Sequence, residues 1–282
     1  MKILLTGAGG MVGQNIVEDD RFKKFEIFAP SRTTLNLFSY QDTLSYLQKV
    51  KPDFVIHCAG RVGGIQANMA NPVAFLLENL DINRNLIAAA REAEVKKLIN
   101  MGSSCMYPRD ATVALDEELV LKGELEPTNE GYAIAKIAAQ RLCVYINREN
   151  PEYKYKTLIP CNLYGRHDKF SPQHSHMVPA VIRKLHEAKV NNASEVDIWG
   201  DGTARREFMY CGDLVDCICQ GINDFEAMPD LMNVGLGIDY TVNEYYQAAA
   251  DVVGYKGTFK HDLSKPVGMK QKLTSIKLSL IH

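Results

Sequence analysis

The sequence predicts an α/β fold, a doubly wound parallel sheet with helices on both faces, followed by a smaller C-terminal α/β substrate lobe. Three observations carry this prediction. Short apolar runs alternate with amphipathic, helix-length segments over residues 1–160. A glycine-rich turn follows the first apolar run directly, and after residue 163 the alternation loosens into a polar stretch before it resumes.

Taken in order, KILLT (2–6) reads as a strand, GAGG as a tight turn and the stretch from Met11 as a helix. Further strands are expected at 26–29 (EIFA), 54–58 (FVIHC), 97–101 (KLINM) and 156–160 (KTLIP). Helical periodicity fills the intervals around 40–50, 75–93 and 132–148. Residues 164–176 (YGRHDKFSPQHSH) are polar and His-rich and read as a loop, with a helix at 177–188 and a strand at 195–199 beyond it. Residues 206–232 are expected to return to the first domain and 239–262 to lie in the smaller lobe. The domain expectation is therefore 1–163 with 206–232 for the sheet, and 164–205 with 233–282 for the lobe.

A formal net charge of −2 offers no basic field, so neither nucleic acid nor an anionic membrane is an expected partner. Seven cysteines form an odd set without a CxxC pair, which fits reduced thiols, a cytoplasmic location and no metal site. The N-terminus lacks a signal-peptide layout and no apolar run reaches membrane-spanning length.

Gly7, Gly10 and Gly13 give GxxGxxG after the first strand. Such glycines permit a tight turn and a close backbone approach, while the first helical turn, with Met11 and Val12, offers free N–H groups to a pyrophosphate. A plain strand–helix turn has the same pattern; its place at the first strand favours a Rossmann-type dinucleotide site. The end of the second strand reads APSRTTLNL, with no acid to accept from a ribose 2′-hydroxyl. Arg32 there can pair with a 2′-phosphate, so NADPH is the expected cofactor, the alternative for Arg32 being an ordinary solvated surface residue.

Tyr132 and Lys136 form YAIAK, and positions i and i+4 share a helix face. The expectation is that Lys136 lowers the Tyr132 pKa and makes the phenol a general acid or base at a carbonyl. Ser103, at the end of an upstream strand, can hold the same oxygen. Cys105, in GSSCMYP (102–108), reads by itself as a small core residue, and His176 by itself as a surface or structural one. Trp199, the single tryptophan, suits either a core or a stacking role.

These segments, together with VGGIQAN (62–68), EPTNEGYAIAK (126–136), NLYGRHD (162–168), SHMVPAVIRK (175–184) and WGDGTARREF (199–208), resemble the GDP-L-fucose synthase family of extended short-chain dehydrogenases/reductases. The resemblance implies C3/C5 epimerisation and NADPH-dependent C4 reduction of a GDP-4-keto-6-deoxy sugar in one site. It assigns Cys105 and His176 to the proton transfers and Ser103, Tyr132 and Lys136 to reduction. It further implies substrate contacts from Asn162, Arg183, Trp199, Arg206 and Lys265, and a homodimer.

The chain departs from that family at Ala8-Gly9, where a basic residue is usual, at Cys161 in PCNLYG and at MYCGDL (209–214). It also stops at Leu280-Ile281-His282, which implies less cover over the lobe. Three other readings remain. One is a C4-reductase of a related sugar such as a GDP-4-keto-6-deoxy-heptose, with little epimerase activity. Another is a UDP-sugar 4-epimerase, which Arg32, Cys105 and His176 disfavour. The last is a non-catalytic nucleotide sensor, which has no need for Ser103, Tyr132 and Lys136 together.

Overall fold

The computed structural model describes residues 1–111, 114–172, 175–265 and 267–279. The expected chain end at 280–282 and part of the expected His-rich loop, 173–174, lie outside the described residues. The first half of the chain runs β1 (Lys2–Thr6), α1 (Met11–Glu18), β2 (Glu26–Phe28), α2 (Tyr40–Val50), β3 (Phe54–His57), α3 (Ile65–Ala70) and α4 (Pro72–Glu92). It continues through β4 (Lys97–Met101), α5 (Glu130–Glu149), β5 (Lys154–Pro160) and β6 (Asn162–Tyr164). Then come α6 (Met177–Val190), β7 (Glu195–Trp199), β8 (Arg205–Arg206), β9 (Phe208–Tyr210) and α7 (Cys211–Asn223). The chain closes with β10 (Leu231–Val234), β11 (Tyr240–Thr241), α8 (Val242–Val253), β12 (Thr258–Asp262) and β13 (Gln271–Lys272).

Six strands make one parallel sheet in the order β10-β5-β4-β3-β1-β2. Because side chains alternate across a strand, β1 serves two cores. Ile3 and Leu5 join Ile16, Leu214, Ile218 and Ile222 on the side of α1 and α7. Leu4 joins Leu44, Leu47, Leu86, Ile87, Cys143 and Ile146 on the side of α2, α4 and α5. All four β3 residues are buried, as a strand covered on both faces requires. The sheet also takes Asn233 and Val234 in β10, two residues beyond the expected 206–232 return.

The smaller lobe is built from a parallel β7–β12 pair under α6 and α8, with Val181, Leu185, Ile198, Tyr246 and Ala250 as its core. A capping box, Thr241 with Glu244, opens α8, and Gly254 closes it at a φ of 77°. Three two-residue strands, β11-β8-β13, bring the last described segment back toward the sheet.

Two fully buried polar residues fasten that return. The Glu207 carboxylate accepts from the backbone N–H of Leu236, Gly237 and Thr274 and from the Thr274 hydroxyl, at 2.5–2.8 Å. The Asn233 amide donates to the carbonyls of Leu115 and Ser275 at 2.8 and 3.1 Å and accepts from the Tyr107 hydroxyl at 2.7 Å. A buried network in which these groups are bonded specifies one arrangement of the segments it joins. Among the described residues no helix is long and apolar enough to cross a membrane.

Candidate active site

The site sits at the carboxyl ends of the sheet strands, where the chain leaves β1, β3 and β4 for the opposite face. Gly7 takes a φ of 75°, and a Cβ there would lie 2.6 Å from the backbone of Cys58 and Ala59. A Cβ on Gly13 would lie 2.3 Å from the Gly7 carbonyl oxygen. Both positions therefore require glycine for the turn itself. Gly9, by contrast, has open space around it, and α1 begins at Gly10 with no side chain capping its N–H groups. An open cradle beneath uncapped amides, including those of Met11 and Val12, fits a dinucleotide pyrophosphate. Arg32 is exposed and makes no hydrogen bond or ion pair among the described residues, while Ser31 is engaged in its own turn with Thr33 and Thr34. A free cation beside the open turn fits the 2′-phosphate of NADP(H).

The catalytic candidates converge from β4 and α5. Ser103 ends the β4 excursion and its hydroxyl accepts from the Cys105 N–H at 3.3 Å, capping the short 3₁₀ turn at 104–106. Lys136 is buried and donates to the Met101 carbonyl at 2.7 Å, with its ammonium 5.9 Å from the Tyr132 ring centre. Burial pushes the Lys136 pKa down to about 8. Tyr132 differs from the sequence expectation. Burial, followed by the nearby Cys105, holds its phenol above the usual range, and a hydrogen bond to Ser103 opposes them. The low dielectric around the hydroxyl favours its neutral form. Tyr132 is thus a proton donor in waiting.

Cys105 is half-buried and its sulfur faces two donors. Asn129 Nδ2 lies 3.1 Å away and Lys272 Nζ 3.6 Å away. Lys272 reaches it from β13, the segment fastened by Glu207 and Asn233. The same ammonium acts electrostatically on His176, which immediately precedes α6. Burial holds the imidazole below its ordinary range, and of the described charged groups facing it Asp168 alone raises it, while Lys169 and Lys272 lower it.

The substrate candidates divide. Trp199 lies between two cations, Lys184 at 5.7 Å and Lys265 at 5.8 Å from the ring centre. Arg206 is clamped by the carbonyls of Arg205 and Val267 at 2.7 and 2.9 Å, and Lys265, close to Val267 in sequence, lies against Trp199. Asn162 donates to the Glu207 carbonyl at 2.8 Å and joins β6 to β9. Arg183 pairs with Glu187 at 2.9 Å, leaving its Nε buried without a partner; no contact among the described residues brings it to Cys105 or Tyr132. Sequence reasoning missed Asn129, Lys272 and Asp168. Asn129 stands three residues before Tyr132, a local signal available in PTNEGY.

Residues 3–235 match the NAD dependent epimerase/dehydratase family. The chain is 57% identical to a GDP-L-colitose synthase of Yersinia pseudotuberculosis over 97% of its own length and 89% of that protein. It is 45% identical to a GDP-L-fucose synthase of Azorhizobium caulinodans, over 98% and 88% of the two chains. A solved GDP-mannoheptose C4 reductase from Campylobacter jejuni with NADP bound superposes with a TM-score of 0.88 at 29% identity, covering 98% of this chain and 90% of that one. A glycine cradle, a Ser–Tyr–Lys set and a Cys105 held by two donors, in a chain this close to those relatives, make it a member of the NAD dependent epimerase/dehydratase family, in the branch that holds the GDP-L-fucose and GDP-L-colitose synthases.

Proposed function

We propose that the chain is an NADPH-dependent C4 reductase of a GDP-linked 4-keto-6-deoxy sugar that also inverts the ring beside the ketone. The observation that carries this reading is Cys105, whose sulfur is met by Asn129 and Lys272 next to Ser103 and Tyr132. A pure reductase needs Ser103, Tyr132 and Lys136 and has no use for a thiol so held.

A ketone at C4 acidifies the protons on its neighbouring carbons. Cys105, with two donors aimed at its sulfur, accepts such a proton in its thiolate form, and His176 returns one to the ring carbon. Tyr132, neutral through burial, donates a hydrogen bond to the ketone oxygen during enolisation and its proton during reduction. Ser103 shares that oxygen. Lys136, anchored on the Met101 carbonyl, stabilises the phenolate that remains. NADPH, when bound by Gly7, Gly10, Met11, Val12, Gly13 and Arg32, supplies the hydride to C4. Trp199, Arg206, Lys265, Arg183 and Asn162, in the smaller lobe and at its edge, take the GDP portion and the sugar.

The higher identity to the colitose enzyme than to the fucose enzyme favours a 3-deoxy substrate. Colitose is fucose without the C3 oxygen, so its formation requires inversion at C5 alone. The likeness to the heptose reductase supports a second reading, C4 reduction of a GDP-heptose with the thiol idle. A cytoplasmic location is supported by seven free thiols. A homodimer is supported by exposed apolar side chains on two adjacent helices, Val73 and Leu77 on α4 and Ile134 and Tyr145 on α5.

The deciding experiment offers NADPH and, in turn, GDP-4-keto-6-deoxy-mannose and its 3-deoxy analogue in deuterated water. NADPH oxidation with deuterium at C5 supports the reading, and faster turnover of the analogue supports the colitose type. Oxidation without ring deuteration points to the pure reductase. Inertness with both sugars overturns the proposed substrate class.

A further inference from the structure

We propose that Asp168 is a positioning residue for His176, its buried carboxylate supplying the counter-charge to the imidazolium that forms each time His176 carries a proton. The inference rests on the proton-transfer role given above to Cys105 and His176.

Asp168 lies just after β6. One of its oxygens, Oδ1, accepts from the Lys169 N–H at 2.7 Å. The other, Oδ2, is fully removed from solvent and has no hydrogen-bond partner. An unpaired buried carboxylate oxygen carries a substantial desolvation cost unless a cation or donor reaches it during function. Among the described residues, the groups that act on this carboxylate leave one candidate. The Lys169 ammonium belongs to an exposed side chain. Cys211, opposite on α7, is a buried thiol pushed up to about 12 by burial, so it brings no positive charge. Arg166 and His167, the other described bases after β6, both pair with Glu18 at 3.0 and 2.8 Å. His176 remains, coupled to Asp168 in both directions.

From the imidazole's side the argument converges. His176 must carry a proton to serve as the acid of the pair. Burial discourages the charged form, and Lys169 and Lys272 discourage it further. Among the described residues, Asp168 is the single facing group that favours it. In the step itself, the imidazolium gives its proton to the ring carbon of the enolate and becomes neutral; the carboxylate keeps its charge throughout and takes no proton. Asp168 therefore sets how much His176 is charged at working pH without touching substrate.

The test is Asp168→Asn, which preserves shape and removes the charge, with Asp168→Glu as the conservative variant. Two measurements are made on each full-length protein. The first is the rate of deuterium uptake at the carbons beside the ketone against pH, alongside NADPH oxidation with an already inverted ketone. Asp168→Asn is expected to slow uptake 10- to 100-fold at neutral pH and to move its acid-dependent limb down by about one pH unit, with hydride transfer unchanged and partial recovery in Asp168→Glu. The second is an NMR titration of the His176 ring, which needs no substrate and is expected to shift down by a similar amount. An unshifted His176 titration, or an unchanged uptake profile in Asp168→Asn, overturns the proposal. If the wild-type protein shows no uptake, the epimerase reading fails, and the NMR titration still decides whether Asp168 and His176 are coupled.

Discussion

At the residue scale, Tyr132 is where the structure most changes the chemistry read from the sequence. The i, i+4 spacing put Lys136 on the same face, and from that alone a phenolate was the natural expectation. The surroundings reverse it. The ammonium is drawn to the Met101 carbonyl, its own pKa falls to about 8, and the phenol stays protonated. A neutral Tyr132 is the form a reduction needs, since the proton must leave the enzyme as hydride arrives at C4. Tyr132→Phe keeps the ring and loses the proton, so kcat for NADPH oxidation is expected to fall about 10²- to 10⁴-fold in a stopped-flow assay. The overall fold measured by circular dichroism is expected to stay unchanged, and retained turnover would remove Tyr132 from the catalytic set. The Ser103, Tyr132 and Lys136 trio was legible because it rests on local spacing and strand ends. Lys272 was not, because it meets Cys105 across a separation of 167 residues, closed by the β8–β13 pairing and the Glu207 and Asn233 fastening. Lys265, expected near the substrate, stands 5.8 Å from the Trp199 ring centre.

At the scale of elements, the first strand–turn–helix was readable in full, since three glycines and an apolar run announce both the turn and its use. The structure adds which glycine does what. Gly13 permits α1 to close on the turn, and Gly13→Ala would force a Cβ to 2.3 Å from the Gly7 oxygen. Relief of such overpacking costs about 1–3 kcal/mol, so the urea midpoint is expected to fall and NADPH affinity with it. Gly9→Ala meets nothing within 4 Å and is expected to leave the urea midpoint alone. Loss of NADPH binding in Gly9→Ala, followed by nucleotide fluorescence, would then report crowding at the pyrophosphate cradle alone; equal destabilisation by both substitutions would contradict the assignment. The smaller lobe was less legible. Strands β8, β11 and β13 have two residues each, too short for any periodicity, and their pairing is set by the Glu207 carboxylate and by Asp239, which accepts from Arg205 and Gln271.

At the scale of the whole molecule, the buried titratable groups define a pH window for stability. His57 lies in the centre of the sheet with both ring nitrogens engaged, by Thr6 at 2.7 Å and Asn83 at 2.9 Å. Burial, with the charge of Lys136 beside it, takes its pKa down to about 3. The unfolded chain binds a proton at His57 below about 6.5 while the folded chain does not, so stability contributed by the neutral ring is full above that pH and is lost as pH falls toward 3. Lys136 acts in the same sense at higher pH: between about 8 and 10.5 the unfolded chain holds the extra proton, and stability rises with pH through that window. Buried thiols act in the opposite sense. Cys143 and Cys211 are pushed up to about 12 by burial, so above about pH 9 the unfolded chain loses protons that the folded chain keeps, and stability falls. Two or more thiols outweigh one lysine where the windows overlap, which sets the maximum at about pH 9. Each unmatched proton contributes a slope of about 1.4 kcal/mol per pH unit. Urea midpoints measured from pH 4 to 10 are therefore expected to describe a dome, steep on the acid side below 6.5 and declining above 9. His57→Gln, which keeps a hydrogen-bonding group between Thr6 and Asn83 and removes the titration, is expected to flatten the acid limb by about one proton. An acid limb of unchanged slope in that variant would show that carboxylates elsewhere, and not the ring at the centre of the sheet, set the acid limit of the fold.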